Sequence, residues 1–137
     1  MKNSRILVLF CLSLMATAIH AQSDPFTGSY TGKGFRPGEK YTEKPSYVID
    51  VTIEKTGDYY MVRWFENGNL SYYGLGIHID NILSVSYVSV DKSIYGTVSY
   101  KDFKKDKGYL VGAWCIAPMD PEAVGNGKNG MEVLWPK

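Results

Sequence analysis

The chain has 137 residues, of which 15 are Lys or Arg and 14 are Asp or Glu, so its formal net charge is only +1. This balance excludes the strongly basic proteins that hold nucleic acid or anionic membranes by charge, and we expect neither kind of partner. The length fits a single domain with a core of its own.

Residues 1–21 are predicted to be a cleavable signal peptide. Two basic residues start the segment, an apolar stretch follows from Ile6 to Ile19, and Ala21 is a small residue at the expected cut. The apolar stretch is too short for a lasting membrane span. Bulky Phe10 before Cys11 argues against a lipoprotein. We therefore expect a periplasmic or secreted protein with no membrane span.

Residues 22–137 are predicted to form one mature domain, in which His78 and Cys115 are the only residues of their kind. A single Cys permits no internal disulfide. With no second His or Cys near it in the sequence, Cys115 is expected to be buried and unreactive. One His and one Cys cannot supply a tetrahedral metal site by themselves. Neither a metal nor another cofactor is predicted.

The first part of the mature chain is predicted to form three strands. The first runs from Phe26 to Phe35 and carries three glycines, which mark bends or a close approach of the backbone. After a loop rich in Pro and charged residues, the second strand runs from Ser46 to Glu54, with apolar residues at every other position. The third runs from Tyr59 to Phe65, and the Asn67-Gly68 pair that follows is a strong hairpin signal.

The stretch from Leu70 to Lys101 is predicted to be an antiparallel meander. It contains three runs in which β-branched and aromatic residues recur with a period of two, which is typical of half-buried strands. Short polar breaks at Asp80-Asn81 and at Asp91-Lys92-Ser93 separate the runs. Breaks this short can join only antiparallel neighbours.

The last part of the chain is predicted to form a turn over residues 101–108 and two more strands. The strand from Tyr109 to Ile116 is apolar on both faces, so we expect a loop or a second copy of the chain to cover its outer face. GNGKNG, from Gly125 to Gly130, matches G-x-G-x-x-G, but a strand follows it where a phosphate site needs a helix. It is interpreted as a loop before the last strand, Met131 to Trp135.

These elements predict an all-β domain of about eight antiparallel strands joined by tight turns, without an amphipathic helix. Such sheets commonly remove their exposed edges by closing into an up-and-down barrel. The alternative is a two-sheet β-sandwich. A barrel of eight strands is just wide enough to be filled by side chains or to hold one small ligand.

Aromatic residues are the strongest feature of the composition, with eleven Tyr, three Trp and five Phe. Tyr and Trp combine apolar area with a polar group and suit ligand pockets. In a barrel, one set of residues would point inward and form either a packed core or a small ligand pocket: Tyr30, Tyr60, Trp64, Tyr87, Tyr100, Trp114 and Glu132. The orientation of Glu132 stays open, because an inward carboxylate requires partners such as a Tyr hydroxyl or a Trp N–H.

A series of short motifs resembles a family of small exported bacterial β-proteins, mostly uncharacterised, some of which are labelled fibronectin-binding. The residues that carry the resemblance are Gly28-Tyr30-Gly32, Tyr60-Val62-Trp64, Gly74-Gly76-Ile77, Leu83-Val85-Tyr87, Gly96-Val98-Tyr100, Leu110-Gly112-Trp114 and Gly130-Glu132-Leu134. The resemblance implies a barrel of the lipocalin or avidin type and transfers no catalytic residue.

The sequence favours a non-enzymatic exported binding module. Its partner would be a small apolar or aromatic ligand in the barrel mouth, or a surface or matrix protein, and the face of strand 109–116 is a candidate homo-oligomer contact. One alternative is a small barrel enzyme that uses Glu132 or His78 as an acid/base group. Another is a secreted inhibitor that inserts the GNGKNG loop into its target.

Overall fold

The computed structural model describes residues 24–39, 41, 44–118 and 129–137. The predicted signal peptide lies outside them, as do residues 125–128 of the GNGKNG loop. The strands are β1 (Gly28–Phe35), β2 (Tyr47–Thr56), β3 (Tyr59–Glu66), β4 (Asn69–Ile79), β5 (Ile82–Ser89), β6 (Ile94–Asp102), β7 (Leu110–Pro118) and β8 (Gly130–Pro136), with one short helix, α1 (Lys104–Lys107), between β6 and β7. None of the described helical residues forms a span long and apolar enough to cross a membrane.

The sheet closes on itself. Every strand pairs antiparallel with its neighbours in the chain, and β1 pairs with both β2 and β8. The closing ladder runs from Tyr30 opposite Pro136 to Phe35 opposite Met131. The predicted eight-stranded up-and-down barrel is therefore confirmed, and the two-sheet sandwich is wrong. Closure leaves no strand edge open for pairing with another chain.

Two-residue turns join β2 to β3, β3 to β4 and β4 to β5, and they set the register of these three hairpins. In the Asn67-Gly68 turn both residues have positive φ, 50° and 79°, as a type I′ turn requires. Asp80 adopts the same region with φ 55°. The segment predicted as a turn over 101–108 contains α1, a single helical turn that ends at Gly108 with φ 76°. Because it is only four residues long, α1 does not change the all-β class.

The glycine face of β4 points into the barrel, and its apolar face points outward. Leu75, Ile77 and Ile79 are 54%, 59% and 68% exposed. Space inside the barrel explains this orientation, because a Cβ atom on Gly74 would lie 2.4 Å from the carbonyl oxygen of Ser86. A Cβ atom on Gly76 would lie 2.9 Å from the Leu83 side chain, so the middle of the inward face of β4 has room only for glycines.

One end of the barrel is closed by Phe26, which is fully buried. Its ring centroid lies 4.9 Å from that of His78 and 6.3 Å from that of Tyr60, both edge-on. The Tyr30 hydroxyl donates to the carbonyl of Phe26 at 2.6 Å. Phe26 was expected to begin the first strand, but β1 starts at Gly28 because the preceding residues fold into a turn over the barrel end.

Asp24 holds that turn in place. Its Oδ1 accepts the backbone N–H groups of Phe26 at 3.0 Å and of Thr27 at 2.9 Å, and its Oδ2 accepts the Tyr60 hydroxyl at 2.6 Å. Burial opposes ionisation of Asp24, but these hydrogen bonds outweigh it and lower the pKa of its carboxyl well below the usual range. Asx turns of this kind compete with strand pairing for the backbone.

Candidate ligand site at the open end of the barrel

The end opposite Phe26 contains a cavity of about 260 Å³. Six aromatic residues contribute to its lining: Tyr47, Trp64, Tyr72, Tyr87, Tyr100 and Trp114. Arg36 and Glu66 lie at the exposed rim, and the buried carboxyl of Glu132 lies inside. A concave, mostly apolar site with a few polar groups is the usual form of a small-molecule pocket.

Glu132 is the only buried charged side chain among the described residues, with 4% of its surface exposed. The Tyr100 hydroxyl donates to its Oε1 at 2.7 Å, and the Tyr47 hydroxyl donates to its Oε2 at 3.1 Å. Tyr100 in turn accepts the indole N–H of Trp64 at 3.0 Å. Two phenols, from β6 and β2, therefore donate to one carboxyl group on β8, and an indole on β3 donates to one of these phenols.

Burial raises the pKa of Glu132 above its ordinary value, although the hydrogen bonds from Tyr100 and Tyr47 act in the opposite direction. No Lys, Arg or His in the described part of the chain forms an ion pair with it. Burial also raises the pKa of Tyr100 and of Tyr47, and the nearby carboxyl adds to both shifts. Both phenols therefore remain protonated donors at neutral pH.

Glycines on adjacent strands make room for the aromatic side chains of the cavity. Gly34 is the cross-strand partner of Tyr47, Gly112 of Tyr100, and Gly130 of Trp114. A Cβ atom on these glycines would lie 1.7 Å from the Tyr47 ring, 2.6 Å from the Tyr100 ring and 2.2 Å from the Trp114 ring. The missing side chains thus allow each ring to lie against the backbone of the neighbouring strand.

The aromatic rings that line the cavity pack against one another in two groups. Tyr87 packs against Trp64, with centroids 5.3 Å apart, and against Tyr72, with centroids 5.8 Å apart. Trp114 packs edge-on against Tyr47 at 6.3 Å. The Nε1–H of Trp114 is buried and has no acceptor among the described residues. An unsatisfied buried donor is unfavourable by about 1–3 kcal/mol.

Five of the seven residues predicted for the barrel interior line this cavity: Trp64, Tyr87, Tyr100, Trp114 and Glu132. The other two, Tyr30 and Tyr60, also point inward but lie at the closed end, where they contact Phe26 and Asp24. The five cavity residues therefore lie together, and Tyr30 and Tyr60 lie apart from them at the other end of the barrel.

Tyr47, Tyr72 and Arg36 line the cavity but were not singled out from the sequence. Tyr47 begins the inward set of β2, so the two-residue period could have found it. Tyr72 shares the inward face with Gly74, and the same period applies there. Arg36 lies in the loop after β1, where no periodicity indicates the direction of a side chain.

His78 and Cys115 lie away from the cavity. The His78 ring is at the closed end, where Nδ1 is 3.5 Å from the Tyr60 hydroxyl and Nε2 contacts the backbone oxygen of Asp80. Cys115 is exposed, so the expectation that it is buried is wrong. It lies opposite Thr97 on the outward face of β7, where Ala113 is also exposed. No group of three His, Cys, Asp or Glu side chains in the described ranges could hold a metal ion.

No protein-family model matches the chain, and comparison with curated proteins finds no match. The resemblance to exported bacterial β-proteins stays a prediction. The site offers an aromatic cavity, a buried carboxyl group held by two phenols, and a buried indole N–H that has no acceptor in the described ranges.

Proposed function

We propose that this protein is a binding protein that holds a small organic molecule in the cavity at the open end of the barrel. The observation that supports this most directly is a cavity of about 260 Å³ between aromatic walls, at the end of the barrel that Phe26 does not fill. Pockets for drug-sized molecules usually have about 300–1,000 Å³. The occupant is therefore small, about one ring or a compact branched group.

The polar groups of the cavity support orientation of such a ligand. Glu132 offers acceptor capacity beyond the two phenol bonds it already makes, because a carboxylate has about four lone-pair sites. Trp114 offers an N–H without an acceptor in the described chain. A few polar groups in a mainly apolar pocket fix the orientation of a ligand while burial provides most of the affinity. We place this protein outside the cytoplasm, in keeping with the predicted signal peptide.

Tryptophan fluorescence tests binding, because two of the three Trp residues line the cavity and the third does not. Trp135 lies on the outer surface, with Lys33 Nζ 5.6 Å from its ring centroid. Titration with phenol and indole analogues that do not absorb in the excitation band should change the emission and raise the melting temperature. Trp135→Phe should keep the change and Trp64→Phe should reduce it. If neither neutral ring compounds nor charged compounds of similar size change the emission or the melting temperature, the proposal is contradicted.

Acid/base catalysis by Glu132 is a second candidate function, because a carboxyl group with a raised pKa inside a cavity is a common feature of active sites. The Tyr47 hydroxyl, 3.1 Å from Oε2, would hold the reacting group in place. Turnover of a bound compound that is lost in Glu132→Gln, with binding retained, would favour this function. His78 has no place in it, since its ring packs on Phe26 at the other end of the barrel.

A further inference from the structure

The buried carboxyl of Glu132 places a negative charge inside the barrel when it is ionised. Its two hydrogen bonds come from neutral phenols, and no cation in the described part of the chain pairs with it. A buried carboxylate is strongly unfavourable unless it is paired or protonated. An occupant that brings a positive charge would supply the missing partner, whereas an anionic one would be repelled.

The walls around this carboxyl group also favour a cation. Trp64, Tyr72 and Tyr87 form one group of packed rings, and Tyr47 and Trp114 form another. The face of an aromatic ring carries negative potential, and cages of such rings are a known means of binding quaternary ammonium groups. An ammonium group with alkyl substituents also gains apolar contact, which a small inorganic cation would not.

The charges at the rim do not reverse this preference. Arg36 and Glu66 both line the mouth of the cavity, have opposite signs and are exposed to solvent. Exposed charges are screened by water and salt far more than a buried one. The phenols of Tyr47, Tyr87 and Tyr100 have a raised pKa from burial and are neutral at physiological pH. Among the described residues, the ionised Glu132 carboxyl therefore has the largest effect on the sign of the potential inside the cavity.

Resting on the proposed function, we infer that the ligand is a small organic cation, a substituted ammonium, bound between these rings with its charge next to the Glu132 carboxylate. The cavity volume of about 260 Å³ suits a compact group of this kind. The inference deepens the proposal of a binding site by assigning the charge and chemical class of its occupant.

Three probes of nearly the same shape separate charge from size: choline, 3,3-dimethylbutan-1-ol and 3,3-dimethylbutanoate. Calorimetric titration of the full chain should show choline binding at least about tenfold more tightly than the neutral alcohol, with the anion weakest. Glu132→Gln keeps the shape of the side chain and should reduce the preference for choline over the alcohol about tenfold. Glu54→Gln, on the outer surface of β2, should change neither affinity.

Tyr87→Leu provides a second variant, because it removes one ring of the cage without touching the Glu132 hydrogen bonds. It should weaken choline binding more than binding of the alcohol. Equal or tighter binding of the alcohol or the anion by the native protein, or no binding of any of the three, overturns the inference. If phenol and indole analogues still bind in that case, the proposed function stands. If they do not bind either, both the proposed function and the inference are wrong.

Discussion

Replacing Glu132 by Gln should stabilise the protein at neutral and higher pH. The amide has the same shape and can accept the Tyr100 hydroxyl bond and donate to the oxygen of Tyr47, so both contacts survive. What the substitution removes is a charge that burial makes unfavourable in the folded state. Each of these hydrogen bonds contributes about 1 kcal/mol net in the wild type and in the variant, so the contributions cancel when the two proteins are compared.

The size of the effect follows from proton linkage. Because the pKa of Glu132 is raised by burial, the folded protein keeps a proton that the unfolded chain releases near pH 4.3. Wild-type stability therefore falls as pH rises from about 4.3 through the folded pKa, by at most about 1.4 kcal/mol for each pH unit. The Gln variant lacks this loss, so its advantage is near zero below pH 4 and reaches a plateau above the folded pKa.

Urea unfolding, followed by tryptophan fluorescence between pH 3.5 and 9, measures the difference in free energy of unfolding. Glu54→Gln is the matched control, since Glu54 is exposed and should show no gain that grows with pH. A Gln variant that is less stable than the wild type at pH 8, or whose advantage is the same at pH 4 and pH 8, would show that the burial of charge is not what separates the two proteins.

Three further predictions concern the ends of the barrel. Phe26→Ala should lower the free energy of unfolding by about 3–5 kcal/mol in urea titrations, because the ring is fully buried; a loss below 1 kcal/mol contradicts its role. Gly130→Ala should cost about 1–3 kcal/mol and shift Trp114 emission, since the new Cβ would meet the ring at 2.2 Å. Asp24→Asn should remove the part of the acid destabilisation that comes from protonation of Asp24. The depressed pKa of Asp24 stabilises the native state above about pH 4, and that stabilisation is lost as pH falls toward the folded pKa, so the variant should show a flatter profile there; parallel profiles would refute this.

Much of the fold follows from local sequence signals. Two-residue periodicity and tight turns identify all eight strands, and Asn67-Gly68 adopts the predicted hairpin geometry. Periodicity and turns alone fit both a barrel and a two-sheet sandwich, and the ladder between β1 and β8 shows that the sheet closes. The exact starts differ where side chains compete with strand pairing, as Asp24 does before β1.

The site was harder to predict, for two physical reasons. In β8 both faces are apolar, and Val133 is buried on the outward side, so alternation does not reveal the direction of Glu132. Its orientation depends on Gly34 and Gly112, the cross-strand partners on each side, which leave space inside. The second difficulty is to predict the position of a residue along the barrel axis. Tyr60 and Trp64 share a face of β3 but lie at opposite ends, and only the registers of neighbouring strands assign each to its end.

The plug formed by Phe26 has a kinetic consequence. With that end filled, the described residues leave the opposite end as the passage through which an occupant of the cavity enters and leaves. Arrival and departure then cross the same barrier in opposite directions. Bulk added at a rim position that does not touch the bound molecule slows both steps by the same factor, so residence time lengthens while the dissociation constant stays fixed.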